Sequence, residues 1–118
     1  FYVIDADGSF RGYAREATVA GSDASVAAIL ESLEDGRTAE RSLAQALDAG
    51  LQAWAAGRLN LAAETPEMPD AEAVGACLRE VLESQRIEAA VLDRSLPTKS
   101  KFAMVAPPQV DAALDRYR

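Results

Sequence analysis

Two carboxylates, Asp5 and Asp7, stand two residues apart behind the apolar run Phe1–Ile4, with Gly8 and Ser9 directly after them. They are the sharpest chemical candidates in a narrow inventory. The chain has no histidine, which removes Ser-His-Asp and Cys-His nucleophiles, His-containing zinc sites and the usual proton shuttle near neutral pH. A single cysteine, Cys77, excludes Cys-rich metal sites and an internal disulfide. No glycine-rich loop has the spacing of a phosphate cradle. Carboxylates, lysine, serine and threonine are what remains.

Taken as residues, Asp5-Ala-Asp7-Gly8-Ser9 reads as a tight hairpin turn. Aspartate side chains bond their own backbone there, and glycine supplies positive φ. The stretch fails as a calcium loop, because that alignment puts Val3 at the first ligand position and Ala14 at the last. Cys77 falls on an apolar helical face and reads as a buried structural thiol. Trp54 ends a leucine stripe, as core or as an interface anchor. Arg94, Lys99 and Lys101 make a small basic loop on an acidic chain. Ser95-Leu-Pro97-Thr98 shows no general base beside it and is not read as nucleophilic.

The elements that must position these residues follow from apolar spacing. Phe1–Ile4 and a return over Phe10–Ala20, with Tyr13, Arg15, Ala17 and Val19 on one face, predict a first β-pair. Gly12 would mark a bulge and Gly21 the strand exit. Ser22–Ser25 is an N-cap cluster ahead of Val26, Ile29, Leu30 and Leu33, and Gly36 would close that helix. Thr38 would cap a second helix with the stripe Leu43, Leu47, Leu51 and Trp54, where Ala46 and Gly50 allow close approach and Gly57-Arg58 end it. The short joint predicts an antiparallel pair.

Residues 59–69 read as a connection. Asp70 caps a third stripe of Val74, Cys77, Leu78, Val81 and Leu82. Ile87–Leu92 and Lys101–Ala106 predict a second hairpin around a loop at 93–100. Pro107-Pro108 break it, and Val110, Ala113, Leu114 and Tyr117 outline a terminal helix. The whole is an α+β arrangement in one domain over 1–118, with helices packed on one face of a largely antiparallel sheet.

Composition agrees with a folded domain: 49% hydrophobic and 26% charged residues. The net charge of −7 argues against nucleic acid, since no cationic cluster could displace phosphate counterions. No apolar run approaches the ~20 residues that a spanning helix needs. No signal peptide is visible, and the cytoplasm is the expected compartment. Phe1 stands where an initiator Met would, so the expectation is a segment of a longer protein.

Two resemblances add to this. The run Tyr2–Ser9 resembles the first motif of haloacid-dehalogenase-like phosphatases, which implies Asp5 as nucleophile, Asp7 as acid/base and magnesium as helper. The immediate return from Phe10 and the lack of a later acidic pair after a strand count against it. Over most of its length, about Phe1 to Leu114, the chain is similar to the C-terminal half of a bacterial proteasome α-subunit. The residues that carry this are Phe1–Ser9 and Thr18-Val-Ala-Gly21, then the helices over Ala24–Leu33 and Ala39–Trp54. Glu88-Ala-Ala-Val-Leu-Asp-Arg94, Pro97 and Lys101-Phe102 complete the order.

That second resemblance implies part of a four-layer αββα N-terminal-nucleophile-hydrolase sandwich, two β-hairpins flanking an antiparallel helix pair. Residues 59–86 form a longer connection than the family shows. The implied role is structural: a non-catalytic segment in a ring of α-type subunits, stacked on proteolytic β-subunits and facing an ATPase activator. No N-terminal Thr is present, so no catalytic, cofactor or metal residue is carried over, and no cofactor is expected. A lone segment of such a sandwich is expected to self-associate through uncovered strands. A homo-oligomeric interaction domain, joined by sheet edges or the Trp54 face, is the third reading.

Overall fold

Small side chains decide the first packing in this molecule. In the computed structural model, which describes residues 1–34 and 41–118, helix α1 (Asp23–Glu34) lies antiparallel to helix α2 (Leu43–Leu59). The buried residues of α1 are Ala24, Ser25 and Ala28 rather than the expected Val26, Ile29, Leu30 and Leu33, which are only half-buried. They face Ala53, Ala56 and Gly57, and the Ser25 hydroxyl donates to the Gly57 carbonyl at 2.7 Å. A Cβ on Gly57 would sit 2.5 Å from both Cγ1 and Cδ1 of Ile29, so this glycine sets the approach of the two helices.

Gly57 therefore does not end α2, as the sequence suggested; the helix runs on to Leu59 and its C-cap is Asn60. Gly50 is exposed with open space where a Cβ would go, so it permits no close approach. The N-cap of α2 is Ser42, in a capping box with Gln45: the Gln45 N–H donates to Ser42 Oγ, and the Ser42 N–H donates to Gln45 Oε1 at 2.9 Å. The expected caps Gly36 and Thr38, with Ala39 as helix start, lie outside the described residues.

Asn60 then organises the connection to helix α3 (Ala71–Leu82). Its buried side chain donates to the Ala56 and Glu67 carbonyls and accepts from the Glu67 N–H, each at 2.8 Å. One side chain thereby satisfies the backbone of a loop that has no ladder of its own. Asp70 caps α3 as expected, accepting from the Ala73 N–H. The expected stripe is buried in Val74, Cys77, Leu78 and Val81, with Leu82 packed at its margin. These residues meet Leu51 and Ala55 of α2 and Val110 and Leu114 of helix α4 (Pro107–Leu114). Tyr117, in a closing 3-10 turn over Asp115–Tyr117, and Val105 complete the core.

The β-structure is slighter than expected. Strands β1 (Tyr2–Ile4) and β2 (Phe10–Gly12) form one antiparallel pair, and β3 (Ala90–Leu92) and β4 (Phe102–Met104) form another. They do not join into one sheet. The stripes of α2 and α3 are covered mainly by other helices, because three-residue strands are too short to cover them. The fold is mixed α+β with four helices and two small sheets among the described residues.

The return strand stops at Gly12 rather than running to Ala20. Phe1 already exchanges backbone bonds with Tyr13, so no described residue stands opposite the positions that follow. Gly12 pairs in register with Tyr2, so it makes no bulge. Ile87–Ala89 likewise stay outside β3; the Val105 N–H still donates to the Ala89 carbonyl, but the partner then turns away at Pro107. That strand is not buried, since Ala90 and Leu92 are exposed.

Substituting Gly57→Val should destabilise the fold by about 1–3 kcal/mol through overpacking against Ile29. Gly50→Ala should stabilise it by about 0.5–1 kcal/mol, as an exposed helix glycine does. Urea unfolding of the two variants beside the parent checks both signs.

Candidate functional site

The β1–β2 turn brings Asp5 and Asp7 together as a structural element. Gly8 adopts φ 85°, its N–H donates to the Asp5 carbonyl at 2.9 Å, and the Asp5 N–H donates to the Ser9 carbonyl at 2.9 Å. The Ser9 N–H donates to Asp7 Oδ1 at 2.9 Å, and its hydroxyl donates to Asp5 Oδ2 at 3.3 Å. Both carboxylates are thus engaged in turn geometry, in full contact with solvent. Ser9, whose hydroxyl proton can turn to either carboxylate and whose N–H donates to Asp7, holds the Asp7 carboxyl below the usual aspartate range. That shift favours the charged form of a turn residue, and a carboxyl so held is a poorer proton donor near neutral pH.

The β3–β4 turn repeats the device. Ser95 donates to Asp93 Oδ1 twice, from its hydroxyl at 2.6 Å and its N–H at 2.8 Å. A carboxylate therefore does stand beside Ser95, which sequence spacing did not suggest. It is a weak base, because those same bonds hold the Asp93 carboxyl below its ordinary value. The basic residues Arg94, Lys99 and Lys101 are exposed on this hairpin, and Lys101 Nζ donates to the Leu96 carbonyl.

Cys77 is buried and free, and burial pushes its thiol up; the Arg58 charge opposes that shift and Glu80 adds to it. A thiol held neutral in the core is not a nucleophile. Among the described residues no group of three or more His, Cys, Asp or Glu could hold a metal ion. No described helix is long and apolar enough to cross a membrane.

Trp54 is not core. It is 39% exposed, with the Arg58 guanidinium 5.7 Å from its ring centroid. It lines a groove of about 570 Å³ whose apolar walls include Leu47 and Leu51 of α2, Ile87 and Val91, and Val105. Searches against family models, curated proteins and solved structures find no match for this chain.

More apolar surface lies on the hairpins. Tyr2, Ile4 and Phe10 share one face of the first, with Tyr2 and Phe10 edge to face at 6.0 Å, and Ile4 is 73% exposed. Leu92, Phe102 and Met104 share one face of the second, and Leu92 is 71% exposed.

A polar cluster with no local signal in the sequence joins α2 to the 3-10 turn. The Tyr117 hydroxyl donates to Asp48 Oδ1 at 2.7 Å, and Arg116 pairs with the same carboxylate. Burial, then the Asp48 bond, push the Tyr117 phenol up, so it stays a donor.

The Asp93 shift has a definite sign. A depressed carboxyl stabilises the turn above the unfolded-chain value, and that contribution is lost as pH falls through the folded value. Carboxyl-carbon NMR titration should find Asp93 below an ordinary aspartate, and Ser95→Ala should move it upward.

Proposed function

We propose that this chain is a structural, non-catalytic segment of a bacterial proteasome α-type subunit, whose work is assembly of a ring that admits substrate to a proteolytic partner. The observation that carries the reading is that each hairpin leaves an apolar face bare while its polar turn is self-satisfied. Bare strand faces on a folded scaffold call for further protein surface, and contiguous exposed apolar residues mark such contacts. The order of a hairpin, paired helices and a second hairpin supports the same reading. In it, the chain contributes to a four-layer αββα sandwich, and the cytoplasm is its compartment. The partners are α-type neighbours, proteolytic β-subunits and an ATPase activator.

The phosphatase reading draws no support from the first turn. A strand leading into a parallel sheet is what its motif needs, and here the chain returns antiparallel at once. The third reading, an interaction domain that binds only copies of itself, rests on the same bare faces.

Co-expression with bacterial β-type proteasome subunits, followed by sedimentation and electron microscopy, tests the proposal. Ring particles containing both chains are expected, and the double variant Phe10→Lys/Leu92→Lys should abolish them without unfolding the monomer. A chain that stays monomeric at every concentration and never co-sediments overturns it. Association of the chain with itself alone favours the interaction domain. Magnesium-dependent hydrolysis of a phosphomonoester that vanishes in Asp5→Asn would instead establish the phosphatase; none is expected.

A further inference from the structure

We propose that the apolar face of the first hairpin docks on the apolar face of the second hairpin of another copy of this chain, with tips of opposite charge selecting that pairing. The inference takes from the reading above only that the bare hairpin faces are contact surfaces, and it names what covers them.

The two faces are built alike. Successive side chains of a strand point to opposite faces. Tyr2, Ile4 and Phe10 therefore share one face of β1–β2, and Val3 and Arg11 share the other. That other face is turned to the scaffold, where the half-buried Val3 lines a concavity with Val26 of α1. In β3–β4 the half-buried Val91 lines the Trp54 groove, while Leu92, Phe102 and Met104 stand on the outer face in solvent. An antiparallel pair with one solvated face ordinarily keeps that face polar. Both hairpins reverse the order, with their bulk outside.

The tips beyond those faces differ in sign. Past the Ile4–Phe10 pair come Asp5 and Asp7, with no cation between Asp5 and Ser9. Past the Leu92–Phe102 pair come Arg94, Lys99 and Lys101, against Asp93 alone. The described ion pairs all lie elsewhere, at Arg116 and Arg118. On a chain of net charge −7 the second tip is thus a basic island with an apolar face behind it.

Charge then ranks the possible pairings. First hairpin on first opposes aspartates, second on second opposes cations, and first on second brings unlike tips together. A three-residue strand is about 10 Å long, close to the Debye length at physiological salt, so the tips sense one another whichever way the strands run. The apolar faces hold what the tips select: Tyr2 and Phe10 offer rings, Phe102 a third, and the Met104 thioether packs well against aromatic edges. The rule is the same whether copies close in pairs or follow head to tail.

Sedimentation equilibrium at low salt, over a wide concentration range, tests the pairing with two charge variants. Asp5→Lys/Asp7→Asn reverses the first tip and keeps an acceptor for the Ser9 N–H. Arg94→Glu/Lys99→Glu reverses the second and spares the Asp93–Ser95 and Lys101–Leu96 bonds. Each variant alone should associate about tenfold more weakly than the parent, with an unchanged urea midpoint. Their equimolar mixture should recover association, because every reversed tip then meets an unlike one. Parent chain that is monomeric at every concentration, association indifferent to both variants, or a mixture no stronger than its components overturns the pairing. Co-sedimentation with β-type subunits that persists in any of those cases leaves the ring reading standing while this inference falls.

Discussion

Helix α2 must bury two faces of different character at once, and the rest of the structure depends on that constraint. Ala53, Ala56 and Gly57 face α1, while Leu51 and Ala55 face α3 and α4. At 3.6 residues per turn, positions 53 and 57 lie roughly opposite positions 51 and 55. The first face works by close approach, which is why a Cβ on Gly57 has no room beside Ile29. The second works by filling volume with leucine. A one-residue slip of α2 would bring bulk to the tight side and small residues to the open one. The capping box at Ser42 and the Asn60 clasp fix both ends of the helix against such a slip.

Period-based reading recovered the helices because their apolar stripes are long. Asp70 and the stripe from Val74 to Val81 were legible in full; α4 was legible through Val110, Ala113 and Leu114, but the prolines read as a break in fact open that helix, and Tyr117 falls in the 3-10 turn beyond it. It misjudged α1, where hydrophobicity alone pointed to the Val26, Ile29, Leu30 and Leu33 stripe. The tight face went to Ala24, Ser25 and Ala28, where the Ser25 hydroxyl bonds the Gly57 carbonyl, and Ile29 stays half-buried in the space that the missing Gly57 side chain leaves. The Ser42–Gln45 capping pair was present in the sequence as a Ser-x-x-Gln signature and was passed over for Thr38. Strand lengths were overestimated because alternation says nothing about how many residues a partner strand can supply. The Asp48–Tyr117 bond, between residues 69 positions apart, leaves no mark on local spacing.

The candidate chemistry was legible as residue types, and its bland interpretation holds in the geometry. Asp5 and Asp7 belong to one turn, Asp93 and Ser95 to another, and each turn is closed by serine donating to aspartate. The equivalence of the two turns matters more than either alone. Asp7 and Asp93 each accept a backbone N–H from the serine two residues on, whereas Asp5 accepts the Ser9 hydroxyl alone. What distinguishes the hairpins from ordinary surface turns is the apolar face behind each tip.

Those faces set a limit on how the chain can associate. A three-residue strand offers only a few backbone bonds at its free edge, so binding there must rest on side chains such as Ile4, Phe10, Leu92 and Phe102. A net charge of −7 on 118 residues opposes the approach of identical copies, more strongly at low salt. A single hairpin contact is therefore weak on its own. Association becomes favourable when two hairpins engage together, because the second contact then forms at high effective concentration.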